Sequence, residues 1–412
     1  MAGDILTLNA GSSSLKVSLW QAGSDTELQE LFRGEIEKIG IAPHLSARDP
    51  GGRTVVDHRF DQAGAKLSHE DLLRELFAWL SQQRPDGFKA IGHRIVHGGA
   101  LFTAPVRIDD CVMERLTKLE PLAPLHQPHN LSGIRACAKL QPGVAQIACF
   151  DTAFHRTMDP VARRLGLPRV YEEDGVQRYG FHGLSYEFIA GRLRAIDPDL
   201  AKGRIIVAHL GNGASLCAMH DGRSVDTTMS FTALDGLLMG TRPGTLDPGA
   251  VTYLMREHAM SADQIEDVLY HRSGLLGISG ISSDMRTLLA SDDSHAREAV
   301  ELFVFRAARE IGALTASLDG LDGLVFTAGI GEHASDIRSR ICARCAWLGV
   351  VLDEHANRAG QMRITADASS VRVYVIPTDE EKMIAAHTVS TLAQSRRACL
   401  WQQDRSTPEK SP

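Results

Sequence analysis

The sequence has no excess of basic charge and no long apolar run. It carries 44 Lys and Arg against 51 Asp and Glu, a formal net charge of -7 at pH 7. Nucleic acid and anionic lipid are bound by basic surfaces, so we expect neither as a partner. No apolar run approaches the ~20 residues of a membrane helix, and the start MAGDILTLNAG lacks the basic segment and apolar core of a signal peptide. We therefore expect a cytoplasmic protein that binds anionic ligands through locally placed arginines.

Cysteine is scarce as well. Seven cysteines are spread over 412 residues, an odd number without framework spacing, which indicates a reducing compartment. Cys342 and Cys345 have CxxC spacing, but a structural zinc site usually needs four ligands and no second pair completes one. We interpret them as two thiols on one helix face.

The phosphate-binding pattern GxxxxGK[ST] is also absent. GIGEHA, which starts at Gly329, matches GxGxxA after an apolar strand. It lies late in the chain, however, and no first βαβ unit precedes it. We interpret it as a strand, turn and helix that contact a nucleotide, not as a dinucleotide fingerprint.

The length and composition indicate a folded α/β protein with two domains. The chain is long for one domain of ~150 residues, and 43% hydrophobic with 23% charged residues is typical of globular proteins. The first third predicts a β-β-β-α-β order. In its helix, Ser68 is the expected N-cap, and the apolar face consists of Leu72, Leu73, Leu76, Phe77 and Leu80.

Two similar hairpins point to an internal duplication. LNAGSSSLKVSLW (Leu8 to Trp20) and RIIVAHLGNGASLCAMHDGRSVD (Arg204 to Asp226) each read as strand, small-residue turn and strand. Such turns expose consecutive backbone N–H groups, which suits a phosphate. They predict a nucleotide in a cleft between the two halves. Ordinary hairpin turns are the alternative, which the paired occurrence and Lys16 weaken.

Four further side chains are candidates for chemistry. Arg94 ends a strand in IGHRIVHGG, and Arg242 lies in the loop LLMGTRPGTLDPG; guanidinium groups bind carboxylates and phosphates bidentately. Asp151 follows an apolar strand, and His182 precedes an amphipathic helix. Taken singly, each is better explained as a packing, capping or salt-bridge residue.

The order of the motifs carries more information than any one of them. The series is LTLNAGSSSLKVSLW, GHRIVHGG, FDTAFHRTM, RYGFHGLSY, AHLGNGASL, MGTRPG, GISSDMR, FTAGIGEH and IPTDEEKMIA. It resembles the acetate kinase family of carboxylate phosphotransferases over about residues 4 to 390. The resemblance implies two duplicated ribonuclease-H-like domains, as in sugar kinases and actin. It places the first domain at residues 1–150 plus 384–400, the second, nucleotide-binding domain at 151–383, and a polar tail at 401–412.

The resemblance also implies a reaction. ATP and acetate would give ADP and acetyl phosphate reversibly, with Mg²⁺, or Mn²⁺ in its place, and the protein would be a homodimer. A kinase for propionate or another short-chain acid is the alternative, because one methylene in an apolar pocket is worth only ~1–3 kcal/mol. A non-catalytic nucleotide switch of the actin or chaperone type is a further alternative, but it would leave the two arginines without a substrate.

Site residues follow from the same resemblance. The catalytic residues would be Arg94, His126, Asp151, His182 and Arg242. Asp151 would orient an arginine or a metal-bound water, because acetate is ionised at pH 7 and needs no base. His182 would donate to a phosphoryl oxygen. The metal ion would be held by Asn9 and Glu380.

The two substrates take the remaining positions. Acetate would be bound by Arg94 and by a small apolar pocket, formed by Val96, Leu125, Phe181 and Ala233. ATP would be bound by residues from both turns and from two later motifs: Ser12, Ser14, Lys16, His209, Leu210, Gly211, Asn212, Gly213, Asp284, Met285, Arg286, Gly329, Ile330, Gly331, Glu332 and His333. Four residues depart from the family pattern: Gln127, His129, Ala233 and His333.

Overall fold

The chain forms two compact units. In the computed structural model the described residues are 3–11, 14–23, 27–60 and 67–404, with side chains described as far as residue 394. The first unit draws on Met1–Ala153 and Asp379–Pro412, and the second is Phe154–Thr378. The units therefore divide after residues 153 and 378, against predicted divisions after residues 150 and 383.

Runs of strands and runs of helices follow one another along the described chain. The strands are β1 (Gly3–Ala10), β2 (Leu15–Ala22), β3 (Leu28–Glu37), β4 (His44–Arg48), β5 (Thr54–Arg59), β6 (Ala90–Ile95), β7 (Val106–Arg107), β8 (Ala145–Phe150), β9 (Arg204–Leu210), β10 (Ala214–His220), β11 (Arg223–Thr227), β12 (Gly323–Thr327) and β13 (Arg372–Val375). The helices are α1 (His69–Gln83), α2 (Asp110–Thr117), α3 (Gln127–Leu140), α4 (Arg169–Glu173), α5 (Gly183–Ile196), α6 (Pro248–Glu257), α7 (Ala262–His271), α8 (Gly274–Ser279), α9 (Met285–Leu289), α10 (Ser294–Ser317), α11 (Ala328–His333), α12 (Ser335–Arg344), α13 (Glu354–Arg358) and α14 (Glu380–Asp404).

Each unit is built on one mixed sheet, and the two sheets share a five-stranded plan. The strand order is β5-β4-β3-β2-β1-β6-β8-β7 in the first unit and β11-β10-β9-β12-β13 in the second. In the first sheet β1 pairs antiparallel with β2 and parallel with β6, and in the second β9 pairs antiparallel with β10 and parallel with β12. β2 pairs antiparallel with β3, as β10 does with β11, and β6 pairs parallel with β8, as β12 does with β13. The predicted α/β fold with two duplicated domains is confirmed.

The first unit buries one face of its sheet under α1. Ser68 caps α1: its hydroxyl accepts from the Asp71 N–H at 3.2 Å, and the Asp71 carboxylate accepts from the Ser68 N–H at 3.0 Å. The predicted apolar face of α1 is buried and packs on the sheet; each such Leu contributes ~1.5–3 kcal/mol. The β-β-β-α-β expectation is two strands short, because five strands, β1 to β5, precede α1.

The opposite face of this sheet is covered by α14. Trp20 and Ala90 pack there against Ala385 and Val389. The helix approaches so closely that a Cβ at Gly92 would lie 2.3 Å from Thr388 Oγ1. This packing fixes the first turn of α14, which begins at Glu380.

The second unit repeats the arrangement with α5 and α10. Helix α5 packs on β9 through Ile189 and Leu193, and α10 buries one apolar face along its length. Cys342 lies in the last turn of α12 and Cys345 just after it; both are buried free thiols, and burial raises the pKa of Cys345 to about 12. Within the described ranges, no helix combines the length and apolarity needed to cross a bilayer.

Candidate active site

In the first unit, three neighbouring strands bring polar side chains together. Asn9 and Arg94 lie near the carboxyl ends of β1 and β6, and Asp151 directly follows β8. Because these strands are parallel, they end at one edge of the sheet. Arg94 Nε donates to both Asp151 oxygens at 3.1 Å, and its Nη2 donates to Asp151 Oδ2 at 2.6 Å. Its Nη1 donates to Asn9 Oδ1 at 3.3 Å.

Carboxylates outnumber cations around Arg94. Glu380 Oε2 lies 3.9 Å from Arg94 Nε. Burial lowers the pKa of Arg94, but attraction to Asp151, Glu380 and Glu381 outweighs it, so that pKa is raised. Burial raises the pKa of Asp151; Arg94 opposes this shift and Glu380 adds to it. Glu381 also lies near Arg33, so the Arg94 guanidinium faces two further carboxyl groups, Asp151 and Glu380, an excess of negative charge that suits a cation.

The donors at this edge fit Mg²⁺. Asn9, Asp151 and Glu380 each offer side-chain oxygen atoms, which are the ligands that Mg²⁺ prefers, and Mg²⁺ usually binds through one or two carboxylates plus water and phosphate. Among the residues that the structure describes, no group of three His, Cys, Asp or Glu forms an all-protein metal cage. Asn9 and Glu380 therefore suit a metal ion that arrives with phosphate and water ligands.

Arg33 contacts the residues at the start of α14. Nothing in the sequence marks it for this role. Its Nη2 lies 2.8 Å from Asp379 Oδ2 and its Nη1 3.7 Å from Glu381 Oε2. Its guanidinium also lies over the ring of Trp20, 5.9 Å from the centroid. Both residues that flank Glu380 are thereby fixed to β3.

Two amides at α3 fix the backbone beside Arg94. Asn130 Oδ1 accepts from Val96 N at 3.0 Å, and its Nδ2 donates to Ala10 O at 2.8 Å. Gln127, one of the departures from the family pattern, is fully buried and bonds to both the N–H and the C=O of His97. His126 is the residue before α3, and Leu125 precedes it; both are half-buried.

Described residues on the two sides of the first glycine turn are hydrogen-bonded. Gly11 N donates to Ser14 O at 2.9 Å, and His69 Nε2 lies 2.9 Å from Gly11 O. Lys16 is exposed and pairs in register with Asn9. Ser12 lies outside the described residues. His129, another departure, has its ring 5.4 Å from that of His69.

The second unit gathers an arginine and two histidines at the second glycine turn. A Cβ at Gly213 would lie 2.7 Å from Arg242 Nη2 and 3.4 Å from His182 Nε2. The His182 and His209 rings stack with centroids 4.2 Å apart. Arg242 Nη1 donates to Ala233 O at 2.7 Å, and burial lowers the Arg242 pKa, opposed by Tyr270. Gly211 and Gly213 have no side chains, which leaves room beside them for a group that accepts hydrogen bonds.

His182 has an unusual backbone conformation. It is supported by His155, a residue that the sequence did not single out. Its φ of 58° and ψ of 24° are left-handed, which is uncommon outside glycine. His155 Nε2 lies 2.9 Å from Phe181 O, and its Nδ1 lies 2.9 Å from Ser224 Oγ. Burial lowers the pKa of His155 to about 4, so this ring is a neutral support. The sequence shows His155 only as part of FDTAFHRTM.

Those expected nucleotide residues that belong to the second unit fall in three places. Leu210, Gly211 and Asn212 continue from β9 into the turn, where Asn212 O accepts from Gly240 N at 2.9 Å. Asp284 caps α9 and pairs with the exposed Arg286 at 2.9 Å, while Met285 is buried. The third place is α11, which contains Gly329, Ile330, Gly331, Glu332 and His333.

Helix α11 is anchored by two charged side chains. Glu332 Oε1 accepts from Ala328 N at 2.8 Å and from Thr378 N at 3.2 Å. The fully buried Arg338 donates to Gly331 O and Glu332 O, both at 2.9 Å. Glu332 thus ties together the segments that follow β12 and β13. Arg338 is a second residue that sequence reasoning missed, because nothing in SDIRSR marks it as buried.

Of the expected acetate-pocket residues, Val96 and Leu125 lie in the first unit, and Phe181 and Ala233 lie in the second. Val96 and Phe181 are buried. Leu125 and Ala233 are half-buried.

Two sheets of one plan, with a glycine turn in each unit and with Arg242 and His182 close to Gly213 in the second, indicate a phosphotransferase. The acetokinase family model matches residues 4–386. An acetate kinase of Rhodopseudomonas palustris (strain TIE-1) is 54% identical over 392 residues, which cover 94% of this chain and 98% of that protein. The chain belongs to the acetokinase family.

Two solved structures agree with this assignment. The crystal structure of Porphyromonas gingivalis acetate kinase has a TM-score of 0.84 at 37% identity, covering 94% of this chain and 99% of that one. A propionate kinase from Francisella tularensis has a TM-score of 0.87 at 36% identity, covering 93% and 98%.

Proposed function

We propose that this chain catalyses the reversible transfer of the γ-phosphoryl group of ATP to acetate, which yields acetyl phosphate and ADP. The observation that carries the proposal is the convergence of Arg242 Nη2 and His182 Nε2 on Gly213. Two donors close to Gly213, which has no side chain, suit the oxygens of a phosphoryl group, whose charge spreads in the transition state. Membership of the acetokinase family, and the named activity of the 54% identical relative, support the choice of acetate.

The residues of the first unit supply orientation and a cation site. Asp151 accepts three hydrogen bonds from Arg94 and so fixes its guanidinium, which we assign to the acetate carboxylate. Asn9 and Glu380 would hold Mg²⁺, or Mn²⁺ in its place, and the bound ion neutralises phosphate charge. No general base is needed, because the attacking carboxylate is already ionised.

The residues of the second unit supply charge and hydrogen-bond donors. Arg242 and His182 are assigned to the phosphoryl oxygens, and the turn from His209 to Gly213 to the nucleotide phosphates. Asp284, Met285, Arg286 and the α11 residues are assigned to the adenosine. In the first unit, Ser14, Lys16 and His126 are assigned to phosphate contacts, together with Ser12.

Propionate is the second candidate substrate. A propionate kinase shares the fold at a TM-score of 0.87, and Ala233 offers a smaller side chain than the proline common at this position in the family. Val96, buried beside Arg94, favours the shorter acid. Because a methylene changes specificity only ~10–200-fold, both acids are expected to react.

We also propose a homodimer. Membership of the acetokinase family supports this proposal. Light scattering that gives the monomer mass of 44.8 kDa would contradict it.

The test is ATP-dependent acyl phosphate formation, trapped with hydroxylamine. Acetate, propionate and butyrate are compared, each with Mg²⁺, with Mn²⁺ and with chelator. We expect the highest kcat/KM with acetate and none without a divalent ion. A higher kcat/KM with propionate would make the second candidate the function, and no acyl phosphate from any acid would overturn the carboxylate kinase assignment.

A further inference from the structure

The stacked histidines of the second unit share one pattern of hydrogen bonds. His182 Nδ1 lies 2.8 Å from Ser215 Oγ, and His209 Nδ1 lies 2.8 Å from Ser185 Oγ. The rings are nearly parallel, with 14° between their planes. Each ring is therefore held at the same nitrogen by a serine hydroxyl.

Each serine is held in turn by a second hydroxyl. Ser215 Oγ lies 2.5 Å from the Tyr186 hydroxyl, and Ser185 Oγ lies 2.9 Å from Thr378 Oγ1. Ser185, Tyr186 and Ser215 are fully buried. Four hydroxyl groups thus form two chains, one behind each imidazole.

The other nitrogen of each ring faces the glycine turn. A Cβ built on Gly213 would lie 3.4 Å from His182 Nε2, and one built on Gly211 would lie 3.8 Å from His209 Nε2. Both Nε2 atoms are thus directed to the turn that we assign to phosphate. Arg242 Nη2 approaches the same point above Gly213.

The hydrogen bonds of each chain can be ordered in two directions, and the anion at the turn favours one of them. A hydroxyl has one proton to donate and can accept as well. If Tyr186 donates to Ser215 and Ser215 donates to Nδ1 of His182, the neutral ring carries its proton on Nε2. Thr378, Ser185 and His209 can be ordered in the same way. The reverse order would leave a bare Nε2 acceptor facing an anion.

Charge argues against the doubly protonated alternative. Two imidazolium rings with centroids 4.2 Å apart, beside Arg242, would repel one another because like charges at short range disfavour the charged forms. A neutral ring needs its tautomer chosen, and the hydrogen bond at the other nitrogen makes that choice.

We propose that Tyr186 with Ser215, and Thr378 with Ser185, are positioning residues that hold His182 and His209 as neutral Nε2–H tautomers, so that each ring presents an N–H donor to the phosphate turn. This inference rests on the proposed function for its anion, but the tautomers themselves can be observed without turnover.

The first experiment is ¹⁵N NMR of the full chain with labelled histidine at pH 8. The two resonances are assigned with the His182→Gln and His209→Gln variants. We expect both rings in the Nε2–H form in the wild type, and a mixture of tautomers for His182 in Tyr186→Phe and for His209 in Thr378→Val. An Nδ1–H form in the wild type would overturn the proposal.

Kinetics provide the second readout, with matched controls. We expect Tyr186→Phe and Thr378→Val to lower kcat about 10- to 100-fold, as loss of an orienting partner does elsewhere, with each KM changed less than about twofold. Thr378→Ser keeps the hydroxyl and should restore kcat. Tyr374→Phe loses a hydrogen bond of 2.9 Å to Asp197 away from these rings and should leave kcat unchanged.

The outcomes separate the two proposals. A wild type that forms no acyl phosphate but holds both Nε2–H tautomers overturns the proposed function and leaves the positioning roles intact. A wild type that is active, with Tyr186→Phe and Thr378→Val each as fast as Tyr374→Phe, overturns the positioning roles alone.

Discussion

Arg94 and Arg242 look alike in the sequence, each near glycines, yet the two units treat them differently. Arg94 is bound by Asp151 at 2.6 Å and lies near Glu380, which raises its pKa against the effect of burial. Arg242 makes no ion pair among the described residues, and burial lowers its pKa. The first arginine is therefore oriented by carboxylates, whereas the second has no ion-pair partner among the described residues and has its positive charge available for an anion.

The largest expected effect of this difference is on stability. Asp151→Ala leaves Arg94 without its buried partner, and breaking such a pair typically costs about 3–5 kcal/mol. Arg242→Met removes a charge without an ion-pair partner, so it should leave the free energy of unfolding unchanged or raise it. Urea unfolding of both variants, monitored by circular dichroism, measures the contrast.

Glu114→Ala is the control for the Asp151 measurement. It removes an ion pair of 2.8 Å whose side chains are 71% and 69% exposed, and such pairs contribute little. If Asp151→Ala is no less stable than this control, the two arginines do not differ as described.

For catalysis we expect the larger effect at the second arginine, Arg242. Arg242→Ala removes an uncompensated donor next to Gly213, and loss of one such donor costs about 10²–10³ in kcat. Arg242→Lys should recover part of this loss, because the charge remains while the fork of donors is lost. Steady-state kinetics with acetate and ATP test the order wild type, Lys, Ala; equal activity of all three would contradict the role of Arg242.

Acid should destabilise the second unit through His155. Its pKa in the folded state is about 4 because of burial, against about 6.5 when unfolded. The stability is therefore complete above pH 6.5 and is lost as the pH falls from 6.5 towards 4, at about 1.4 kcal/mol per pH unit. His93 and His97 of the first unit, each with a pKa near 4, add to the total slope.

His155→Gln isolates this contribution. Unfolding free energies measured from pH 7 to pH 4.5 should fall less steeply in the variant, by about 1.4 kcal/mol per pH unit. The exposed His220→Gln serves as control and should keep the wild-type slope. An unchanged slope in His155→Gln would show that this ring is not kept neutral.

The sequence predicts local features well and distant partnerships poorly. The two hairpins, the Ser68 cap and the apolar face of α1 have periodic or capping signals, and the structure confirms them. Arg33 meets Asp379 across 346 positions, and Arg338 is buried although its helix is polar. His155 acts through a backbone carbonyl, which has no signature in a single sequence. Such contacts depend on how the elements pack.

The smallest expected effect compares two glycines of the second unit. A Cβ at Gly191, in α5, meets nothing within 4 Å, so Gly191→Ala should stabilise the helix by about 0.5–1 kcal/mol and leave activity unchanged. A Cβ at Gly213 would lie 2.7 Å from Arg242 Nη2, so Gly213→Ala must displace the arginine that bears the free charge. We expect a lower kcat/KM for ATP in Gly213→Ala alone. Equal kinetics of the two variants would show that Arg242 can move without loss, and that its position, unlike that of Arg94, is not fixed by the fold.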